Sequence, residues 1–179
     1  MKTTHIFRAL GAVAASAIAG AALHAASQEK PTPRTEVVFF ESERFTDVRD
    51  TSTDAPQGRD YILRELKTYL QERAQDYVPE GAKLSVTVTD IDLAGEFEPW
   101  RVGSAADVRI VKEIYPPRIK LSFRLTDAAG DVVKQGEREL TNPNFLMMAL
   151  PTMVNDPYRH EKALIDDWLS REFTRPKKS

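Results

Sequence analysis

The chain has 179 residues, with 25 basic and 27 acidic side chains, three histidines and no cysteine. The lack of cysteine excludes disulfide stapling, a cysteine nucleophile and a lipid anchor carried on a cysteine, so packing must stabilise the fold. The near balance of charge argues against nucleic acid as a partner.

The first 25 residues are organised like a secretory signal peptide. Lys2 and Arg8 precede the uncharged stretch Ala9–Leu23, and small residues follow it. This stretch is too short and too weakly apolar for a membrane span, which takes about 20 residues. We therefore expect an exported, periplasmic protein that is cleaved near Ala25 or Ala26 and is not inserted in a membrane. The mature chain is then divided into a flexible leader (26–34), a single globular domain (35–175) and a basic tail (176–179).

The first half of the mature chain alternates between strand and helix patterns. Residues 36–40 are β-branched and aromatic, which predicts a first strand that is buried on both faces. Apolar residues at three- and four-residue steps predict a helix over 58–77. Residues 84–93 alternate as a half-buried strand does, but the phase slips, which predicts a β-bulge near Thr89 or Asp90.

The second half favours strands followed by a helix. Residues 106–111 are interpreted as a short edge strand, and the alternating segments 118–126 and 132–140 as a hairpin. A final helix is predicted over 157–173. This order indicates an α/β fold class, as an α+β two-layer sandwich. It has a mixed four- to five-stranded sheet with helices packed on one face.

An acidic stretch follows the second predicted strand and contains Asp90, Asp92, Glu96, Glu98, Trp100 and Arg101. It imitates a calcium loop of the EF-hand type. However, Ala94 and Arg101 occupy positions where that loop needs ligands, so no metal site is predicted.

Asp90 and Asp92 lie two apart on a strand, so both project from one face. The favoured interpretation pairs them with outward bases of a neighbouring strand, Arg118, Lys120 or Arg124. The alternative is a pair of catalytic acids, which needs a cleft and a raised pKa on one partner.

Trp100 lies beside acidic residues and Arg101, which makes it a candidate for stacking on a sugar ring or anchoring a partner protein. The favoured alternative is that its ring folds back over the edge of the core. The apolar segment with Met147, Met148 and Met153 is interpreted either as a docking surface or as a lid over the sheet.

Other catalytic and cofactor chemistry has little support. The mature chain keeps one histidine, His160, which we expect to be exposed in the last helix. One histidine without cysteine cannot make a zinc site of the His and Cys type. The sequence also contains neither the serine elbow of hydrolases nor a glycine-rich phosphate loop. No cofactor is predicted.

Four motifs resemble those of a family of small exported bacterial proteins: Val88–Glu96 with Glu98-Pro99-Trp100, Ile114–Arg118, Leu121–Asp127 and Glu161–Leu169. The family is catalogued as domain of unknown function three thousand and sixteen, and the resemblance covers essentially the whole mature chain. It implies a single domain located in the cell envelope. It implies no activity, ligand or catalytic residue.

The leading hypothesis is a soluble periplasmic binding or accessory module of the envelope. It would contact an envelope protein or a cell-wall ligand through the Trp100 loop or the segment from Met147 to Met153. The alternative is a periplasmic hydrolase that uses paired carboxylates from the acidic stretch. The sequence leaves the question of enzymatic activity open.

Overall fold

The computed structural model describes residues 34–51, 55–100, 106–148 and 153–175, all within one compact unit that spans Thr32–Ser179. The predicted signal peptide, the predicted leader except Arg34, Arg101 and the predicted basic tail lie outside the described residues. Within the described ranges, no helix combines the length and the apolar content that crossing a membrane requires.

The described strands and helices, in chain order, are β1 (Thr35–Phe39), α1 (Pro56–Ala74), β2 (Lys83–Asp92), β3 (Glu96–Phe97), β4 (Arg109–Ile110), β5 (Arg118–Thr126), β6 (Val132–Thr141) and α2 (Arg159–Glu172). Short 3-10 turns lie at Ser42–Arg44 and Phe145–Met147. The main sheet has the strand order β1-β2-β5-β6, and β3 pairs with β4 in a separate two-stranded sheet.

The main sheet is mixed, as predicted. β1 and β2 are parallel, with α1 as the crossover between them, whereas β2, β5 and β6 pair in antiparallel fashion. The predicted α+β class with a mixed sheet is therefore confirmed, and so is the hairpin of β5 and β6.

The predicted edge strand over 106–111 is corrected. Only Arg109 and Ile110 form a strand there, and they pair with β3 instead of extending the main sheet.

The core lies between one face of the sheet and the two helices. Ile62, Leu66 and Leu70 of α1 are buried in it, and Trp168 of α2 packs edge-on to Phe123 of β5 at 5.7 Å between ring centroids. The buried residues of each helix recur at three- and four-residue steps, and those of each strand at every second residue. The apolar faces of the helices and of the sheet therefore meet in the core. Burying each large apolar side chain stabilises the fold by about 1.5–3 kcal/mol.

A β-bulge in β2 changes which residues of the strand face the core partway along its length. The register with β5 shifts between Val88 and Asp90, where the bulge was predicted. The inserted Thr89 resets the phase, so Ile91 remains in the core while Asp90 and Asp92 project outward.

The outer face of the sheet is open. The first strand was predicted to be buried on both faces, which is wrong: Val38 is 47% exposed and Phe40, just after β1, is 56% exposed. The reason is that both helices cover the same face, so every second residue of β1 faces solvent.

One end of the sandwich collects most of the irregular chain. Since β1 and β2 are parallel, α1 begins near the carboxyl end of β1. Lys134 near the start of β6 contacts Glu172 at the end of α2, so α2 begins near the end of β6. We call this end the loop end and define it as the described residues of 40–51, 93–117 and 142–158.

Candidate functional site

An ion-pair network around the buried Asp47 holds the loop end together. Arg109 donates two hydrogen bonds to the Asp47 carboxylate, from Nη1 to Oδ2 at 2.9 Å and from Nη2 to Oδ1 at 3.0 Å. Arg49 Nε donates to Oδ1 at 2.9 Å. Burial opposes ionisation of Asp47, but these bonds outweigh it and hold the pKa of the carboxyl below its ordinary value. Asp47 is therefore an anion at neutral pH that fixes both guanidinium groups.

Arg109 connects this network to the loop after β2. Its Nη1 also donates to the Gly95 carbonyl and its Nη2 to the Arg49 carbonyl, both at 2.9 Å. The guanidinium lies 4.6 Å from the centroid of the buried Phe97 ring. Gly95 has φ of +85°, and a Cβ there would lie 2.8 Å from the Ile110 carbonyl oxygen, so only glycine permits this approach. The segments around Arg109 are thus held as one unit.

Glu98 and Glu96, two of the predicted site residues, are both engaged with bases. The buried Glu98 carboxylate accepts a hydrogen bond from Lys112 Nζ, and the Tyr115 hydroxyl donates to the same oxygen at 3.4 Å. Glu96 is more exposed and lies 3.3 Å from Arg49 Nη2. Both acids therefore help to hold the loop.

Asp90 and Asp92 pair across the sheet with bases, as the structural interpretation predicts. Lys120 Nζ lies 3.7 Å from Asp90, and Arg118 Nη2 lies 3.9 Å from Asp92. Asp90 also accepts hydrogen bonds from the Thr46 backbone N–H at 2.8 Å and hydroxyl at 3.0 Å. The pKa of Asp92 is raised because its carboxyl is partly buried; Arg118 opposes this shift, and neighbouring carboxylates add to it.

Glu161, in the first turn of α2, joins that helix to the loop after β2. Its side chain is 1% exposed, and its Oε1 accepts a hydrogen bond from the Ala94 backbone N–H at 2.7 Å. Its Oε2 has no hydrogen-bond partner within the described part of the chain. Burial raises the pKa of Glu161, while the Ala94 N–H and the charge of Arg109 act against the shift. The carboxyl is therefore an anchor that is costly to ionise.

His160 was expected to be exposed, and this is wrong. It is buried, and its ring packs edge-on to Phe145 at 4.9 Å between centroids. Arg159 Nε donates to its Nε2 at 3.2 Å. Burial lowers the pKa of His160, and the neighbouring Arg159 adds to the effect. The 3-10 turn after β6 folds over the start of α2, so consecutive residues of that helix hold two different loop segments.

Large apolar side chains project into solvent from the described residues of two loop-end segments, 93–117 and 142–158. Trp100 is 70% exposed, Ile114 is 72% exposed and Met147 is 92% exposed. Further exposed apolar residues in the same segments are Val108, Val111, Leu146 and Val154. The favoured prediction that Trp100 covers the core is therefore wrong. Phe97, not Trp100, occupies the inward position, beneath Arg109.

The three predicted methionines have different environments. Met147 faces solvent, whereas Met148 and Met153 are half-buried. Met148 Sδ contacts Asn142 Nδ2. The turn at 145–147 thus buries Phe145 and exposes Met147, so the segment is partly a lid and partly an open surface. Arg101, the last predicted site residue, lies outside the described residues.

Sequence reasoning missed three residues that organise the loop end: Asp47, Arg109 and Glu161. Asp47 and Arg109 are 62 positions apart, and no local pattern relates them. Glu161 did carry a signal, because it precedes Ile165 and Trp168 by four and seven residues and so lies in the apolar stripe of α2. A carboxylate in such a stripe indicates a buried acid.

The fold and the loop end define a two-layer α+β domain whose loop end contains a polar network and several exposed apolar side chains. Its family is shown by the match of one family model, described as "Protein of unknown function (DUF3016)", to residues 33–171. The chain belongs to this family, as the four motifs implied. No curated protein and no solved structure matches the chain.

Among the residues that the structure describes, no group of three or more His, Asp or Glu side chains is arranged to hold a metal ion.

Proposed function

We propose that this chain is a non-catalytic binding or accessory module of the cell envelope, and that it contacts a partner protein through the apolar side chains of the loop end. The observation that carries the proposal is the exposure of Trp100, Ile114 and Met147 on segments that are held in place, the first two by buried polar contacts and the third by the packing of Phe145 on His160. Exposed apolar residues grouped on one part of a protein are typical of interaction sites, and tryptophan is enriched among residues that dominate binding energy.

The polar network supports binding because it fixes the segments before any partner arrives. The segment with Ile114 is tied to the loop after β2, since Gly95 N–H donates to the Tyr115 carbonyl at 3.0 Å. The same loop is bound to α2 through Glu161. A surface that is already ordered loses less conformational entropy on binding, which favours affinity.

The hydrolase alternative has less support from the geometry. Asp90, Asp92 and Glu98 are each paired with a base, and Glu96 lies beside Arg49. These ion pairs are the arrangement expected of structural acids. A hydrolase needs one acid to remain protonated beside a second, free carboxylate.

The periplasmic location is part of the proposal. Its support is the signal-like organisation of residues 1–25 and the complete absence of cysteine, which suits a compartment where free thiols are oxidised. Fractionation of cells that produce the full chain tests it. We expect the processed chain, starting near Ala26, in the periplasmic fraction; an unprocessed chain in the cytosol would contradict this location.

The binding role is tested by site-specific photo-crosslinking in intact cells. A photoreactive amino acid replaces Trp100, Ile114 or Met147 in turn, and Val38 on the open sheet face serves as the matched exposed apolar control. We expect the three loop-end positions to yield the same crosslinked protein and the control to yield none. Equal yields from all four positions, or no adduct from any, would contradict a specific surface at the loop end.

A further inference from the structure

β6 is a long edge strand with an unpaired side. It has ten residues and pairs only with β5, and no other strand in the described ranges lies along its outer edge. Eight of its residues are exposed and two are half-buried, and within the described ranges the helix that contacts it is α2, through Glu172. The opposite edge differs, because Gln71 Nε2 donates to the Thr35 carbonyl of β1 at 3.0 Å. An uncovered edge of this length presents a row of backbone donors and acceptors to a further strand.

The basic side chains of β6 are tied to Glu172 of α2 instead of projecting freely along the edge. Lys134 and Arg138 face the helix layer, and both bind Glu172: Lys134 Nζ lies 2.8 Å from Oε1, and Arg138 donates from Nε at 2.7 Å and from Nη2 at 2.9 Å. Arg138 also lies over the ring of Phe123, at 5.4 Å from its centroid. Edge lysines and arginines usually deter pairing by projecting into solvent. Here Glu172 binds both of them, and Arg138 Nη1 also donates to the Glu137 carbonyl of β6 itself at 2.7 Å, so one backbone acceptor of the strand is already occupied.

The other side of β6 is acidic. Glu137 and Glu139 project from the open face, and their cross-strand neighbours on β5 are Ser122 and Lys120. Glu137 makes no ion pair among the described residues, and Glu139 has one distant partner, Arg118 at 3.7 Å. Two shallow grooves, about 380 Å³ and 570 Å³ in volume, run along this face, and Glu137 and Ser122 line both. A base of β5 lines each groove as well, Lys120 in one and Arg124 in the other, and Lys120 lies 3.7 Å from Asp90. Glu137 and Glu139 lie on β6 itself, so they are the charged side chains of this face nearest to an added strand.

We propose that β6 binds an extended peptide segment with lysine or arginine at every second residue, which adds a fifth strand to the sheet. Backbone hydrogen bonds to the edge supply affinity in such complexes, and alternate side chains supply specificity. Opposite charges directly across strands stabilise pairing, so basic residues facing Glu137 and Glu139 select the partner and fix its register. This surface is separate from the loop end.

The test uses a fluorescent peptide of alternating lysine and valine, with binding to the purified protein followed by anisotropy. A second peptide has the same sequence but carries N-methyl groups on alternate residues, which remove backbone donors and leave the charge unchanged. We expect the first peptide to bind and the second to bind at least tenfold more weakly. Equal binding of both would overturn the proposal, because it would show attraction by charge alone.

Variants locate the site. Glu137→Lys with Glu139→Lys should weaken binding of the lysine peptide about tenfold, since two attractive cross-strand pairs become repulsive. The same variant should bind a peptide of alternating glutamate and valine, and we expect the unaltered protein not to bind that peptide. The control variant combines Glu36→Lys on β1 with Lys83→Glu on β2, which preserves their ion pair, and it should leave binding unchanged.

Two further outcomes would overturn the inference. One is unchanged binding in the variant with Glu137→Lys and Glu139→Lys. The other is self-association of the unaltered protein that this variant abolishes, since a second copy would then occupy the edge. Trp100→Ser should bind the lysine peptide normally, so failure at β6 and failure of the loop-end proposal are distinguishable.

Discussion

Replacing Glu161 with glutamine tests the role of the buried carboxyl that joins α2 to Ala94. The amide keeps an acceptor for the Ala94 N–H, which lies 2.7 Å from Oε1, and it cannot ionise. In the unaltered protein the second oxygen is buried without a hydrogen-bond partner. A buried unsatisfied polar group costs about 1–3 kcal/mol, and more when it is charged. The glutamine amide leaves a polar group unsatisfied at the same place, but that group is neutral. We therefore expect Glu161→Gln to be more stable than the unaltered protein by about 1–3 kcal/mol at alkaline pH, where the carboxyl is ionised.

The advantage should depend on pH in one direction. Burial raises the pKa of Glu161 in the folded state, so the folded chain holds this proton more tightly than the unfolded chain. Stability from the neutral carboxyl is fully present below the unfolded pKa and is lost as pH rises through the folded pKa. The difference between the two proteins should thus be small near pH 4 and grow by at most about 1.4 kcal/mol per pH unit. Titration of every other group cancels in this difference.

Urea unfolding between pH 4 and 9, followed by fluorescence of the buried Trp168, measures the difference. Glu113→Gln, at an exposed glutamate of the same end, controls for the substitution and should change stability by less than about 0.5 kcal/mol. Glu161→Ala removes the bond to Ala94 and leaves a cavity, so it should cost about 2–4 kcal/mol at every pH. If Glu161→Gln were instead destabilised progressively as pH rises, ionised Glu161 would be a stabilising partner of Arg109, and the reasoning would be refuted.

Three further substitutions follow from the loop end, and urea unfolding checks each. Arg109→Ala should cost about 3–5 kcal/mol, because it leaves the buried Asp47 without its two-point partner; a loss below about 1 kcal/mol would argue against the network. Gly95→Ala should cost at least about 2 kcal/mol, since its φ is +85° and the added Cβ meets the Ile110 carbonyl; a neutral effect would mean that the two segments separate readily. Trp100→Ser should change stability by less than about 0.5 kcal/mol, because the ring is exposed, and a large loss would mean that the ring packs on the core.

The sequence was most informative where a pattern is local. The slip in alternation along β2 predicted both the bulge and the outward direction of Asp90 and Asp92, because side chains of a strand alternate strictly between faces. The continuous apolar run of β1 was misleading. Whether a second layer covers the outer side of Val38 depends on where distant helices pack, and five residues do not carry that information.

The loop end was less predictable because its contacts join distant segments. Phe97 and Trp100 are three residues apart, and the sequence alone does not tell which ring turns inward. The choice depends on Arg109 and Arg49, which lie in other segments and hold guanidinium groups 4.6 Å and 5.3 Å from the centroid of the Phe97 ring. His160 was mistaken for a solvent-facing residue because the turn that buries it comes from the chain after β6.

Hydrogen–deuterium exchange of the purified protein, alone and with the partner identified by crosslinking, tests most directly whether the loop end is the binding surface. We expect the partner to slow exchange in peptides covering 93–100, 106–117 and 142–148, and to leave exchange in α1 unchanged. Protection confined to α1 or to the open face of the sheet, with the loop end exchanging as fast as in the free protein, would contradict this expectation.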